Sequence, residues 1–435
     1  MGSYRGIISN KQLKCFIKLM TTCVILFYLW NIYSKCTCSV GKRMYQTGKS
    51  FDIRPEDVSV TDVNGYSDIQ GVSGPVDLVV TWVNGSDQSF IDEMSRLNIS
   101  RHKHFTLKRY RDWGILRYAL RSVEKYANWF RHVYIVTNGQ VPSWLNLKYH
   151  RVSIVQHSDI FKNKSHLPTF NSLAIEAHIH RIPGLSKHFV YMNDDFFFLN
   201  KVELDDFYTN ETGFKLRFNE MKISECSKKC TYPSLNNGIC DTECNKSKCD
   251  WDGGDCNISG SNTRQSFDNI LNRLPPFSGA VVYTMLIYNK EFGSVYGKIP
   301  AHVPYIIDKT LMNELQNRLP EEWDRTSASK IRTQHCFLYA FAYYHYLMRH
   351  QRRKPGDITI ATTIENHDDY SYSATGNATG LDNALRILLR NKKKKFGCIN
   401  DHMTLDNKEE EARAQPVLDN FFRRLFPKPS RFEVT

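Results

Sequence analysis

Apolar residues come in short blocks along the first half of the chain, and the blocks alternate between two periods. Residues 76–83 read V-D-L-V-V-T-W-V, apolar almost throughout, the pattern of a strand buried on both faces. Over residues 114–129 the apolar positions Leu116, Leu120, Val123 and Ala127 recur at helical spacing, with Arg117, Arg121, Glu124 and Lys125 between them. Residues 133–136 and 152–155 are two further short apolar runs. Helical spacing returns over 172–182 and stops at Pro183-Gly184. A last strand enters at Phe189-Val190-Tyr191-Met192 and leaves through Phe196-Phe197-Phe198, broken by Asn193, Asp194 and Asp195. Strands alternating with helices predict an α/β fold, a mostly parallel sheet with right-handed crossovers. The polar tips Asn84-Gly85-Ser86-Asp87, Asn138-Gly139 and Asn193-Asp194-Asp195 then fall at the carboxyl edge of that sheet, where such folds bind ligands.

The periodicity gives way between Cys226 and Cys256 to six cysteines spaced C-x3-C-x9-C-x3-C-x4-C-x6-C. So short a segment has little core, and the spacing predicts a disulfide framework. It closes on Trp251-Asp252-Gly253-Gly254-Asp255-Cys256, and oxygen ligands on a glycine-rich turn suit Ca²⁺ better than Zn²⁺. Helical spacing returns over 310–318, 336–348 and 417–425. The chain therefore divides into a first core part at 75–222, a cysteine-rich insert at 226–256 and a second core part at 265–435.

The N-terminus changes the setting. Residues 19–33 carry no charge and, extended back to Cys15, reach about the minimum length for a helix that crosses a bilayer. We expect a cytosolic tail at 1–14, an uncleaved membrane anchor at 15–33, a polar stalk at 34–74 and a lumenal body. Seven N-x-S/T sequons, at Asn84, Asn98, Asn163, Asn210, Asn245, Asn257 and Asn377, agree with a lumenal body, as do the clustered cysteines. Outside the cluster, Cys336 and Cys398 admit a further pairing. The short span suits an early secretory membrane.

Composition adds bounds. The chain has 435 residues, 41% of them hydrophobic, which excludes a disordered chain and allows a large core. Its formal charge of +13 is partly local, in R-H-Q-R-R-K at 349–354 and four lysines at 392–395. Such runs are mostly solvated faces, though they favour acidic partners such as sugar nucleotides. No nucleic-acid motif occurs.

Among candidate chemical groups, Asp194 and Asp195 stand first. Adjacent carboxylates inside an apolar stretch need a cation or a turn, and on that stretch alone both readings stand. Glu176 and His180 are four apart in a predicted helix, either a functional pair or a surface pair. His302 and Arg332 have no local context that distinguishes them from structural residues.

A larger pattern does. D-L-V-V-T-W-V-N-G-S-D at 77–87, L-R-Y-A-L-R-S-V-E-K-Y at 116–126, I-V-T-N-G-Q-V-P-S-W-L at 135–145, H-L-P-T-F-N-S-L-A-I-E at 166–176, Y-M-N-D-D at 191–195, A-H-V-P at 301–304 and C-I-N-D at 398–401 follow in order. They resemble the conserved blocks of the Stealth family, and within it the branch of animal N-acetylglucosamine-1-phosphotransferases. The resemblance implies a Rossmann-like core, a Golgi membrane location and transfer of GlcNAc-1-phosphate from UDP-GlcNAc to the 6-hydroxyl of mannose. The implied acceptors are high-mannose glycans of lysosomal hydrolases, and UMP leaves. It assigns function to Glu176, Asp195, His302 and Arg332. Asp195, with Asp194, would hold Mg²⁺ or Mn²⁺; Arg332 would grip phosphate; His302 or Glu176 would be the base. Trp82, Val83, Asn84 and Arg117 would bind the donor. The insert resembles a Notch-type repeat, which implies disulfides among Cys226, Cys230, Cys240, Cys244, Cys249 and Cys256. It also implies Ca²⁺ on Asn237, Asp252 and Asp255, with Ser234 supplying a further ligand. A second copy or an accessory subunit is an admissible partner. One departure is Ile115, where the family usually has an acidic residue. Two alternatives remain: a Stealth-type transferase with another donor or acceptor, and a non-catalytic calcium-binding glycoprotein. Asn84, inside the proposed donor loop, is expected to stay unglycosylated; a glycopeptide map that finds a full glycan there removes the loop from the site.

Overall fold

The structure is a computed structural model, and it describes residues 72–99, 107–219, 229–230, 240–249, 252, 256, 271–292, 299–353, 362–364, 370–375, 377–390, 393–401 and 408–434. The expected tail, anchor and stalk lie outside the described residues, save the stalk's last three. Among the described residues no helix is long and apolar enough to cross a membrane.

In chain order the principal elements of the first core part are β1 (Val76–Thr81), α1 (Gln88–Arg96), α2 (Ile115–Tyr126), β2 (Val133–Thr137), β3 (Val152–Gln156), α3 (Ser172–Glu176), β4 (His188–Asn193), β5 (Phe196–Phe198) and β6 (Gly213–Asn219). After the insert come α4 (Pro276–Phe292), β7 (Tyr305–Asp308), α5 (Lys309–Arg318), α6 (Pro320–Ala328), α7 (Tyr339–Arg353), β8 (Tyr370–Thr375), α8 (Ala378–Arg390), β9 (Phe396–Asp401) and α9 (Lys408–Leu425).

The apolar blocks make the main sheet. It has five strands in the order β3-β2-β1-β4-β7. The first four are parallel, and β7 runs antiparallel to β4. The expected α/β fold with a parallel sheet is thus present, and its first four strands follow a doubly wound order. β1 and β4 are central, which explains their unbroken apolar runs: Leu78, Val79, Val80, Phe189, Val190 and Met192 are all fully buried. The one charge in β1, Asp77, is buried as well. Arg131 binds it through two hydrogen bonds, of 2.8 and 2.5 Å, and the Ser186 backbone N–H donates to it at 2.7 Å.

The Asp-Asp stretch is both a turn and a sheet edge. β4 ends at Asn193, and after two residues β5 joins a second sheet of order β8-β9-β5. β5 pairs antiparallel with β9, setting Phe196 opposite Cys398 and Phe197 opposite Gly397. A side chain at Gly397 would meet the Phe197 ring at 2.8 Å, so this strand contact requires glycine. The Ile399 N–H donates to the Asp195 carbonyl at 3.1 Å and fixes the turn against β9.

The helix expected over 172–182 is interrupted. α3 ends at Glu176, and a separate 3-10 turn covers Ile179–Arg181. Trp323 Nε1 takes the Ala177 carbonyl at 2.7 Å, the acceptor that a continuous helix would use itself. The expected Glu176–His180 pair therefore does not share a helix face. His180 turns away to Gln316 at 3.1 Å.

In the insert, Cys230 pairs with Cys244 and Cys240 with Cys256, and Cys249 is also disulfide-bonded. Cys226, Ser234, Asn237 and Asp255 lie outside the described residues. Asp252 is buried, has φ 63° and accepts the Asp241 N–H at 2.5 Å. Cys230, Cys244 and Cys249 share one apolar cluster with Leu173 in α3 and with Val281 and Val282 in α4, so the insert braces the core. Cys336 and Cys398 are both free and buried; the pairing the sequence admitted is not formed.

The C-terminal segment is locked by charge. Glu433 has no exposed side-chain surface and accepts from Arg121 Nε at 2.7 Å and Arg117 Nε at 2.5 Å. Burial raises its pKa, but hydrogen bonds from Arg121, the Ser430 backbone and Arg117 outweigh that and bring it to about 2. Glu433→Ala leaves Arg121 buried without its partner, and we expect a loss of about 3–5 kcal/mol in denaturant unfolding at neutral pH. The unfolded carboxyl ionises near 4.5 and the folded one near 2, so this stabilisation is present above pH 4.5 and fades as pH falls towards 2. The gap between wild type and variant should narrow over that window. A neutral-pH loss under about 1 kcal/mol would contradict it.

Candidate active site

A cavity of about 1270 Å³ opens at the carboxyl edge of the main sheet. Parts of the chain far apart in sequence meet there. The segment after β1 delivers Trp82 and Val83, α3 delivers Glu176, and the β4–β5 turn delivers Asp194 and Asp195. His302 comes from the segment before β7, Arg332 from the segment before α7, and Asp401 from the end of β9. The four residues that the family resemblance singled out, Glu176, Asp195, His302 and Arg332, all line this one space.

The carboxylates crowd one corner. Asp195 Oδ2 lies 3.4 Å from Cys398 Sγ and 3.8 Å from His302 Nε2. Its Oδ1 is buried and accepts no hydrogen bond from the described residues. Burial, then the neighbouring Asp195 and Asp112 carboxylates, hold the Asp194 pKa far above the ordinary carboxylate range. Two adjacent carboxyl groups, one with an orphaned oxygen and one strongly disfavoured as an anion, fit a hard divalent cation bound through oxygen.

Glu176 is half-buried and lines the cavity. Burial raises its pKa from 4.5 to about 7, with the nearby Arg332 and His302 charges offsetting part of the rise. The nearby Tyr191 and Ser172 hydroxyls also lower it. Arg332 bonds through Nη2 to Ser172 Oγ and lies over the Phe277 ring at 5.7 Å. Its Nε is buried without an acceptor among the described residues. A second guanidinium, Arg109, shares the cavity; burial and then repulsion from Arg332 lower its pKa. Two repelling guanidiniums beside an open space suit a polyanion.

The loop after β1 differs from expectation. Its backbone N–H groups are engaged within the protein: Asn84 N donates to Gln140 Oε1 at 2.8 Å, Gly85 N to the Tyr110 carbonyl at 2.7 Å, and Ser86 N to Asn84 Oδ1 at 3.0 Å. A Cβ at Gly85 would lie 2.3 Å from the Tyr110 carbonyl oxygen, so the glycine serves close packing rather than approach to a ligand. Trp82 and Val83 line the cavity, and Asn84 does not. Arg117 is also outside the lining; its guanidinium is held by Glu433 and lies 5.9 Å from the centre of the Trp144 ring. Its apparent place beside the L-R-Y block reflects structural pairing with the C-terminal segment.

Sequence reasoning passed over Arg109, Asp112, Cys398 and Asp401 as site residues. Asp112 accepts from Trp82 Nε1 at 3.2 Å and from the Gly114 N–H at 2.8 Å, which sets the Trp82 ring. Asp401 binds Arg111 at 2.8 Å and Trp113 Nε1 at 3.1 Å. For Asp112 a signal was present in the R-Y-R-D-W run at 109–113, dense in charged and aromatic groups, and for Asp401 in the family block C-I-N-D at 398–401. Ile115, the departure from the family pattern, is buried against the cavity.

Fold and lining together describe an α/β protein with a cavity that brings paired carboxylates and paired guanidiniums together. Comparison with known proteins then gives the family. Stealth conserved regions 1 to 4 match residues 74–100, 109–216, 301–349 and 387–435, and an LNR (Notch) domain matches 223–257. The capsular polysaccharide phosphotransferase WcwK of Streptococcus pneumoniae is 31% identical over 369 residues, 82% of this chain and 99% of that protein. The chain belongs to the Stealth family. The human N-acetylglucosamine-1-phosphotransferase subunits alpha/beta are 47% identical over 173 residues, 40% of this chain. That match spans only 14% of the human protein's length. Among solved structures, a galactosyltransferase bound to donor and acceptor analogues has a TM-score of 0.30 at 9% identity over 82% of this chain and 98% of its own, too slight a likeness to weigh.

Proposed function

We propose that the chain transfers GlcNAc-1-phosphate from UDP-GlcNAc to the 6-hydroxyl of mannose on glycans of lysosomal hydrolases and releases UMP. The observation that carries this reading is the meeting of Glu176, Asp195, His302 and Arg332 around one cavity with the electrostatics of a diphosphate site. The 47% identity to the human subunits favours this donor and acceptor.

Phosphoryl transfer needs alignment and charge neutralisation more than covalent help. In this reading the uridine lies against Trp82 and Val83, and Arg332 and Arg109 hold the diphosphate. Asp195, with Asp194, is the place for Mg²⁺ or Mn²⁺, which supplies charge neutralisation on the diphosphate. His302 orients the Asp195 carboxylate. Glu176, with a pKa of about 7, takes the proton from mannose O6. The O6–phosphorus bond forms as the bridging oxygen–phosphorus bond breaks, and the electron pair leaves with UMP.

The surrounding setting belongs to the same proposal: a Golgi membrane anchor at 15–33, a lumenal body, and Ca²⁺ in the Notch-type insert held by Asn237, Asp252 and Asp255. High-mannose glycoproteins are the acceptors, with a second copy or an accessory subunit as a further partner. A second reading, transfer of another sugar phosphate to a polysaccharide, is favoured by the near full-length match to the pneumococcal relative. UMP release across a panel of nucleotide sugars and acceptors separates the two. Preference for UDP-GlcNAc with an α-mannoside supports the first. Turnover only with another pair supports the second, and no turnover with any pair supports a non-catalytic glycoprotein.

A further inference from the structure

Cys398 has no role in the proposed transfer, yet its thiol lies just behind two cavity-lining residues, Asp195 and His302, and offers a third, unlike ligand atom. Cys398 Sγ lies 3.4 Å from Asp195 Oδ2, and His302 Nε2 lies 3.8 Å from the same oxygen. All three ligand atoms fall within 4.8 Å of one another. Metal–ligand bonds of about 2.0–2.3 Å at tetrahedral angles place ligand atoms about 3.3–3.8 Å apart. The sulfur–oxygen separation already meets that spacing, the nitrogen–oxygen separation needs a closure of about 0.5 Å, and the third needs about 1 Å.

We propose that Cys398, His302 and Asp195 form a site for a thiophilic divalent cation such as Zn²⁺, and that its occupation inhibits the enzyme. Inhibition rests on the transferase reading; binding does not. The backbones that carry the ligands are fixed. Cys398 lies in β9, paired with β5, and the Ile399 N–H holds the Asp195 carbonyl. Beside His302, the Ala301 N–H donates to the Arg217 carbonyl at 2.8 Å. Cys398 is almost wholly buried, whereas the His302 and Asp195 side chains are 35% and 21% exposed, so the fourth position faces the cavity and its water. On binding, the thiol gives one proton to solvent. The thiolate and the carboxylate then balance the two charges of the cation, and the imidazole binds neutral.

The ligand types select the metal. A thiolate and an imidazole favour Zn²⁺ or Cd²⁺, whereas Mg²⁺ and Mn²⁺ take oxygen. Asp195 thus belongs to two competing sites, one with Asp194 for a hard cation and one with Cys398 and His302 for a soft one. A bound Zn²⁺ withdraws both Asp195 and His302 from the transfer.

The test uses the full chain and two probes. Cd²⁺ reports thiolate ligation by ultraviolet charge-transfer absorption. The band is expected in wild type and in Cys336→Ser and should be missing in Cys398→Ser. His302→Ala keeps the thiol but loses a ligand, so its Cd²⁺ affinity should fall at least about tenfold; this variant carries the test if Cys398→Ser does not fold. In the UMP-release assay at saturating Mg²⁺, the Zn²⁺ inhibition curve of Cys398→Ser should shift at least about tenfold to higher concentration. An unchanged Cd²⁺ band in Cys398→Ser, or unchanged affinity in His302→Ala, overturns the site. The absorption needs no turnover. A band dependent on Cys398 in an inactive chain would reject the transferase reading alone, and an active chain without that band would reject the metal site alone.

Discussion

Asp195→Ala is expected to lower the rate of UMP release by about a thousandfold or more while leaving the protein folded. The two halves of that expectation have separate causes. The side chain touches little that holds the fold: among the described residues its Oδ2 meets Cys398 and His302, and its Oδ1 has no hydrogen-bond partner. The contact that fixes the turn is the Asp195 carbonyl with the Ile399 N–H, which alanine keeps. Removing the carboxylate also relieves the repulsion that disfavours ionised Asp194. The melting temperature should therefore hold or rise. Activity should collapse, because one carboxylate serves the cation corner and orients toward His302. Steady-state kinetics with a thermal melt on the same sample measures both. Activity within about tenfold of wild type would remove Asp195 from the chemistry.

Glu176→Gln is the second large effect, and it decides which residue is the base. With Glu176 as base, kcat falls by about 10²–10⁴-fold. The pH profile changes shape as well. The wild-type rate rises with pH until Glu176 ionises, near 7, and then levels. Glutamine cannot titrate, so that rising limb disappears. Retention of the limb would point to His302 instead. Stability moves the opposite way. The unfolded carboxyl ionises near 4.5 and the folded one near 7, so between those values the native state keeps a proton that the unfolded chain has lost. Stability falls as pH rises through that window, and the penalty is complete above 7. It amounts to at most about 3 kcal/mol, less whatever cavity water recovers. Glu176→Gln should therefore be the more stable protein above pH 7 and gain little below 4.5, a difference read by denaturant unfolding at the two pH values. If Glu176 is the base, its cost to the fold is a trade of stability for activity.

The fold was legible where one physical effect dominated. β1 and β4 are buried on both faces, so their apolar runs announced them, and their polar ends marked the carboxyl edge of the sheet. Asp194 and Asp195 left two readings, a turn and a cation site. The structure has the turn, and the turn presents both carboxylates to the cavity. Local pattern failed where tertiary contacts decide. The break after Glu176 is set by the Trp323 ring, 146 positions away, taking a backbone carbonyl. The glycine after Asn84 suggested a phosphate loop, but its neighbour is the Tyr110 backbone. Arg117 lay beside a family motif, yet its partner is Glu433 at the far end of the chain. Arg109 and Cys398 had no periodicity or spacing to mark them; only the folded chain sets Arg109 beside Arg332 and Cys398 beside Asp195.

The central claim is that the bond broken lies between the two phosphates of the donor, not between sugar and phosphate. The most direct measurement follows the nucleotide and the acceptor together. With UDP-GlcNAc, Mg²⁺ or Mn²⁺ and an α-mannoside, the account predicts UMP as the leaving nucleotide. It also predicts a phosphodiester joining GlcNAc to mannose O6, formed in equal amount. Release of UDP, with GlcNAc joined to the acceptor and no phosphorus in the product, would contradict it.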